Sequence, residues 1–112
     1  MNDKLPVAID STINLLTVVQ NRPQQANLMH QLAYGTAIVR FVNLMSERLK
    51  GKLSSSLVER CRKLHIPDWV VQIRHDVTHG MLPSFDVILI GVDESLGWLR
   101  VVIKTLEMFN FL

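Results

Sequence analysis

The chain has 112 residues, 48% apolar and 20% charged, with a formal net charge of +2 and a pI of about 9.0. That composition describes one globular domain with a core of its own, and excludes a disordered chain and a second domain. No block of five like charges occurs, so the mild basicity permits a polyanionic partner without demanding one. The single cysteine, Cys61, excludes an internal disulfide framework and fits a reducing compartment. The opening "MNDKLPVAID" has no basic segment followed by an apolar signal core, and "VILIGV" is too short to cross a bilayer. The expectation is a soluble intracellular domain with no membrane partner.

Helical spacing dominates the chain. Pro6 suits a first helical turn, and Ile9, Ile13, Leu16 and Val19 recur at helix period until Asn21-Arg22-Pro23 ends the segment. A long second helix is expected from near Pro23, with Leu28, Leu32, Gly35, Val39, Val42, Met45 and Leu49 along one apolar face. Tyr34, Ile38, Phe41 and Leu44 make a second stripe beside it, so this helix is expected at the centre, buried on two sides. Gly35 costs about 1 kcal/mol in mid-helix against Ala, and the expected return is the close approach of a neighbouring helix. After the break "GKLSSS", Ser54 or Ser55 is the expected cap of a brief helix through Leu64, with Leu57, Cys61 and Leu64 inward.

Pro67 and Asp68 start the next helix, and Gly80 and Pro83 close it. Ser84 then caps a last helix on which Leu89, Val92, Leu96, Leu99, Ile103 and Leu106 are spaced three or four apart. Its opening, "FDVILIGV", has the β-branched content of a strand, but its continuation into the helical pattern favours helix. The expected architecture is an all-α bundle of two long and two to three shorter helices, in a single domain over residues 1–112.

The segment "WVVQIRHDVTHGMLPS" carries more chemistry than packing requires. On a helical wheel, Trp69, Val70, Ile73 and Val77 share an arc of roughly 100°, the expected buried stripe. Arg74, Thr78, Val71, His75 and His79 share an arc of roughly 140° on the other side. His75 and His79 are four apart, one turn above the other. On the residues alone three readings stay open. One is a solvated or interface face with incidental histidines. A second is metal binding, since Cys61-x3-His65 and His75-x3-His79 both have ligand spacing, although the order matches no zinc pattern and no Glu stands between the last two. The third is metal-free cleavage of RNA by its own 2′-OH. Two histidines then serve as base and acid, and an arginine neutralises the phosphorane. Arg74, His75 and His79 are the minimum set for that chemistry.

The stretch "IPDWVVQIRHDVTHGMLPS" resembles the signature of the Las-one-like family, a branch of the HEPN superfamily of all-α nucleases marked by Arg-x(4–6)-His. The matching residues are Ile66, Pro67, Trp69, Val71, Ile73, Arg74, His75, Thr78, His79, Leu82 and Pro83, with four residues between Arg74 and His79. Upstream, "YGTAIVRFVN" resembles the family's second stretch, ending at Arg40 to Asn43, and "SLGWL" resembles its last helix. The similarity runs from about Leu5 to Leu99.

The resemblance implies a HEPN-type bundle. It also implies an endoribonuclease cutting the second internal transcribed spacer of precursor ribosomal RNA, in the nucleus and nucleolus, during large-subunit ribosome biogenesis. It implies no cofactor and no metal, 2′,3′-cyclic phosphate and 5′-hydroxyl ends, and a homodimer whose motif helices face each other across one cleft. A polynucleotide kinase partner is implied too. Family members run on past the point where this chain ends, at Leu112, into a segment that engages that kinase. By the same resemblance Arg74 contacts the phosphate, and His75 and His79 are the acid and base. Thr78 shapes the site, its hydroxyl expected on the Arg74 carbonyl. Asp76 is expected in solvent, Arg40 in a salt bridge inside the bundle, and Trp69 in the core rather than stacked on a base. Gly80 departs from the family motif and suggests a looser exit loop. The rival reading is a dormant HEPN module for dimerisation and partner binding.

Overall fold

The computed structural model describes residues 4–48 and 55–111. Five helices follow one another: α1 Lys4–Gln20, α2 Leu28–Arg48, α3 Leu57–Lys63, α4 Asp68–Thr78 and α5 Phe85–Phe111. No strand occurs among the described residues, and "FDVILIGV" opens α5. Two helices are long and three shorter, as the periodicity predicts.

Local chemistry sets the boundaries. α2 begins at Leu28, not near Pro23, because Asn27 caps it reciprocally. The Asn27 Oδ1 accepts the His30 backbone N–H at 3.2 Å, and His30 Nδ1 accepts the Asn27 N–H at 3.0 Å. α3 is capped by Ser56, one position beyond the expected Ser55, and its hydroxyl accepts from Glu59 N at 3.2 Å. Ser54, the other expected cap, lies outside the described residues, as does Leu49. Ser84 Oγ takes the Val87 N–H at 3.4 Å at the start of α5.

α2 is the central element and packs against all four others, while α1 meets only α2 and α5. The core gathers Ile38, Phe41, Val42 and Met45 of α2 with Leu15, Val70, Ile88, Val92 and Leu99, all essentially inaccessible. Phe41 and Trp98 meet edge to face at 5.5 Å, and Trp98 Nε1 donates to the Leu64 carbonyl at 2.8 Å, tying α5 to the α3–α4 link. The Cα envelope measures 46 × 29 × 17 Å, and its least dimension is that of two helix layers.

Several inward assignments shift by part of a turn. α1 buries Ala8, Ser11 and Leu15, while Ile9, Ile13 and Leu16 stand on an exposed face. That buried face packs on α2 and α5, and the larger apolar stripe points away. At the start of α2, Leu28 and Leu32 are exposed as well. A Cβ on Gly35 would sit 3.1 Å from Val77 Cγ2, so the close approach expected there is made by α4.

Candidate active site

The motif occupies the second half of α4, and three contacts fix that half against α2. Val77 sits on Gly35. Gln31 Nε2 donates to the Pro83 carbonyl at 2.9 Å and holds the chain beyond the helix. Arg74 Nε donates to Asn43 Oδ1 at 2.8 Å. The α2 partners run forward from residue 31 to 43 as the α4 partners run back from 83 to 74, so the two helices lie antiparallel.

The Arg74–Asn43 bond is the polar feature that sequence reading missed. The stretch "YGTAIVRFVN" ends at Asn43, and its arginine, Arg40, is the residue expected to form an ion pair. Arg40 is exposed and forms no ion pair among the described residues, contrary to the bridge expected of it. Asn43 takes the Nε–H of a half-buried Arg74 and holds the plane of the guanidinium, leaving the Nη amino groups for another acceptor.

His75 and His79 are both exposed, with ring centroids 4.2 Å apart and planes 39° from parallel. His79 is the C-cap of α4, and its N–H bonds the His75 carbonyl at 3.0 Å. That carbonyl also accepts the Thr78 hydroxyl at 2.9 Å, so Thr78 bonds back to His75 and not to Arg74. Gly80, at φ +80°, places Met81 N on the Asp76 carbonyl at 2.9 Å and Gly80 N on the Val77 carbonyl at 3.5 Å. This is a Schellman closure. The glycine therefore ends the helix tightly, the reverse of the looser exit expected from it. Asp76 accepts Gln72 Nε2 at 2.8 Å on its own helix and so has a partner beyond solvent.

Two wheel positions exchange their roles. Val71, expected on the polar arc, is buried at 7% exposure, beside Leu57 and Val58 of α3 in the lining of the groove between the two helices. Trp69, expected in the core, is 43% exposed at the start of α4. The α3–α4 junction also carries the Arg62–Asp68 ion pair, with Nε–Oδ1 at 3.2 Å and both side chains largely in solvent. Between the two helices a groove of about 380 Å3 opens onto Arg74 and His75.

Cys61 is buried, and burial pushes its thiol above the ordinary range, opposed by the charges of Arg60 and Arg74. Among the described residues no three His, Cys, Asp or Glu side chains come together, so the four-ligand convergence suggested by the Cys61–His65 and His75–His79 spacings is not formed.

An all-α bundle with an Arg-x4-His segment from Arg74 in its fourth helix to the C-cap His79 is consistent with a HEPN-type helical bundle. The model of the Las1-like family matches residues 1–102, and the chain belongs to that family. It is 33% identical over 102 residues to the "Ribosomal biogenesis protein LAS1L" of Mus musculus, covering 89% of this chain and 13% of that protein. Identity to "Protein LAS1" of Saccharomyces cerevisiae is 32% over 104 residues, covering 85% of this chain and 21% of that protein. The "Pre-rRNA-processing protein las1" of Schizosaccharomyces pombe is 26% identical over 98 residues, covering 86% and 20%. The chain thus spans about a fifth or less of the length of these relatives. No solved structure matches it significantly. No helix among the described residues is long and apolar enough to cross a membrane.

Proposed function

We propose that this chain is the endoribonuclease domain of a precursor-ribosomal-RNA-processing protein, acting without a metal on the second internal transcribed spacer. The observation that carries the reading is an Arg74 guanidinium held in place by Asn43 beside two exposed, adjacent imidazoles. The relatives named for ribosome biogenesis and pre-rRNA processing supply the substrate class.

In the proposed reaction one imidazole takes the proton of the 2′-OH, and O2′ attacks the neighbouring phosphorus. The P–O5′ bond breaks, and the departing O5′ takes a proton from an imidazolium. The products are a 2′,3′-cyclic phosphate and a 5′-hydroxyl. Arg74 stabilises the added charge on the equatorial oxygens, where a planar, permanently charged fork is worth most.

In-line displacement places O2′ and O5′ on opposite sides of phosphorus. A base and an acid must each come within about 2.6–3.2 Å of one of those two oxygens, from opposite sides. The rings of His75 and His79 lie side by side, 4.2 Å apart, and approach a phosphate from one side. That spacing supports a homodimer in which two α4 helices face each other and the second copy supplies the opposite imidazole. A kinase that phosphorylates the 5′-hydroxyl is the proposed consumer of the product, and the nucleolus the proposed setting.

The test is cleavage of a spacer-derived RNA in EDTA by wild type, Arg74→Ala and His79→Ala. Wild type is expected to cut, and both variants to lose cutting while keeping helicity, since neither side chain belongs to the core cluster. Cleavage that stops in EDTA, or that survives both substitutions, contradicts the reading.

A further inference from the structure

The groove between α3 and α4 has a use in that reaction. Asp68 and Arg62 close one end, while Arg74 and His75 line the other, about 10 Å further along α4 by helical rise. Leu57, Val58 and Val71 give it apolar walls, and Gln72 a polar one. At about 380 Å3 it lies near the lower end of small-ligand sites, sized for one compact unit rather than a run of chain.

Its charge is graded along its length. Of the two arginines that line it, Arg62 is neutralised by Asp68, and among the described residues Arg74 has the neutral Asn43 amide as its hydrogen-bond partner. The groove therefore offers one anion-seeking end and a neutral, partly apolar remainder. Gln72 adds direction. Its Nε2 must face Asp76, because a carboxylate only accepts, and this leaves the amide oxygen for a different donor.

We propose that this groove binds the single nucleoside on one side of the scissile phosphate. The phosphate sits at Arg74 and His75, the base lies against Leu57, Val58 and Val71, and a base N–H donates to the Gln72 amide oxygen. Single-stranded RNA is recognised by splayed bases hydrogen-bonded at their edges, and here the base face is covered by aliphatic side chains in place of an aromatic platform. His79 does not line the groove, so the subsite serves one flank of the cut only. The inference rests on the nuclease reading.

The test uses a spacer-derived RNA whose cut is first mapped with wild type. Three uncleavable probes then carry a 2′-deoxy at that cut: one intact, one lacking the base on the 5′ side, and one lacking the base on the 3′ side. Removal of one of the two bases is expected to weaken wild-type binding about tenfold, and removal of the other to leave it unchanged. In the Val58→Ala/Gln72→Ala double variant that difference is expected to vanish. Both positions are exposed, so helicity is expected to hold. A wild type that cuts the RNA yet responds equally to both base removals overturns the groove and leaves the nuclease reading standing. So does a double variant that keeps the wild-type asymmetry. A wild type that neither cuts nor binds the RNA overturns the nuclease reading, and the groove with it.

Discussion

At the scale of single residues, the site depends on how Arg74 is held. A free arginine side chain is flexible, and a phosphate contact from it loses rotamer entropy each time it forms. The 2.8 Å bond to Asn43 removes much of that freedom beforehand. Asn43→Ala is therefore expected to lower the cleavage rate about tenfold, the scale of one hydrogen bond to a charged group, with Arg74 still present. Asn43→Asp should recover less than wild type, because a carboxylate neutralises the guanidinium it orients. Unchanged single-turnover rates in both variants would show that Arg74 needs no such support. As candidates, Arg74, His75 and His79 stand out in the sequence because an arginine and two histidines crowd a short apolar segment. Asn43 does not, since a bond between residues 31 apart leaves no periodic trace. Val71 and Trp69 were misassigned for a related reason: a wheel shows which residues share an arc, and not which neighbour covers it. Here Val71 is buried beside α3, and the start of α4 leaves Trp69 half out.

At the scale of elements, the order and type of the five helices followed from apolar spacing and from proline and glycine punctuation. The boundaries moved where a side chain intervened, as with Asn27 at the start of α2. The buried face of α1 was missed because it sets Ala8 and Ser11, too small to mark a stripe, beside the single large side chain of Leu15. Gly80 and Gly97 give opposite expectations. Gly80 closes α4 at φ +80° directly after His79. Gly80→Val forces a β-branched side chain into that conformation, and is expected to cost about 1–2 kcal/mol of stability and to displace His79. Gly97 is helical and exposed, and a Cβ there meets nothing within 4 Å. Gly97→Ala is expected to stabilise the domain by about 1 kcal/mol without touching activity. Thermal or denaturant melts of the two variants check both signs; equal shifts in the same direction would refute the assignment of Gly80 to a left-handed cap.

At the scale of the whole molecule, a two-layer bundle 17 Å thick holds its three motif residues on one short helix. That arrangement presents one guanidinium and two neighbouring imidazoles on one side, and in the proposed dimer a second copy supplies the imidazole on the other. If the cleft is shared, a wild-type subunit paired with His79→Ala is crippled. An equal mixture of the two, equilibrated at fixed total protein, is then expected to retain about a quarter of wild-type activity. Independent sites would retain about half. The exposed stripe of Ile9, Ile13 and Leu16 lies on α1, which does not contact α4, so it belongs to a different surface from the motif.

The central claim is that RNA supplies the nucleophile and α4 supplies the catalysts. The most direct measurement is cleavage in EDTA of a spacer RNA beside the same RNA with a single 2′-deoxy at the cut, with the product ends identified. The expected result is cutting of the ribose substrate alone, with a 2′,3′-cyclic phosphate left behind and nothing cut by Arg74→Ala. Cutting of the 2′-deoxy substrate, or a product ending in a 5′-phosphate, would mean that water rather than the 2′-OH attacks, and would contradict the roles assigned to Arg74, His75 and His79.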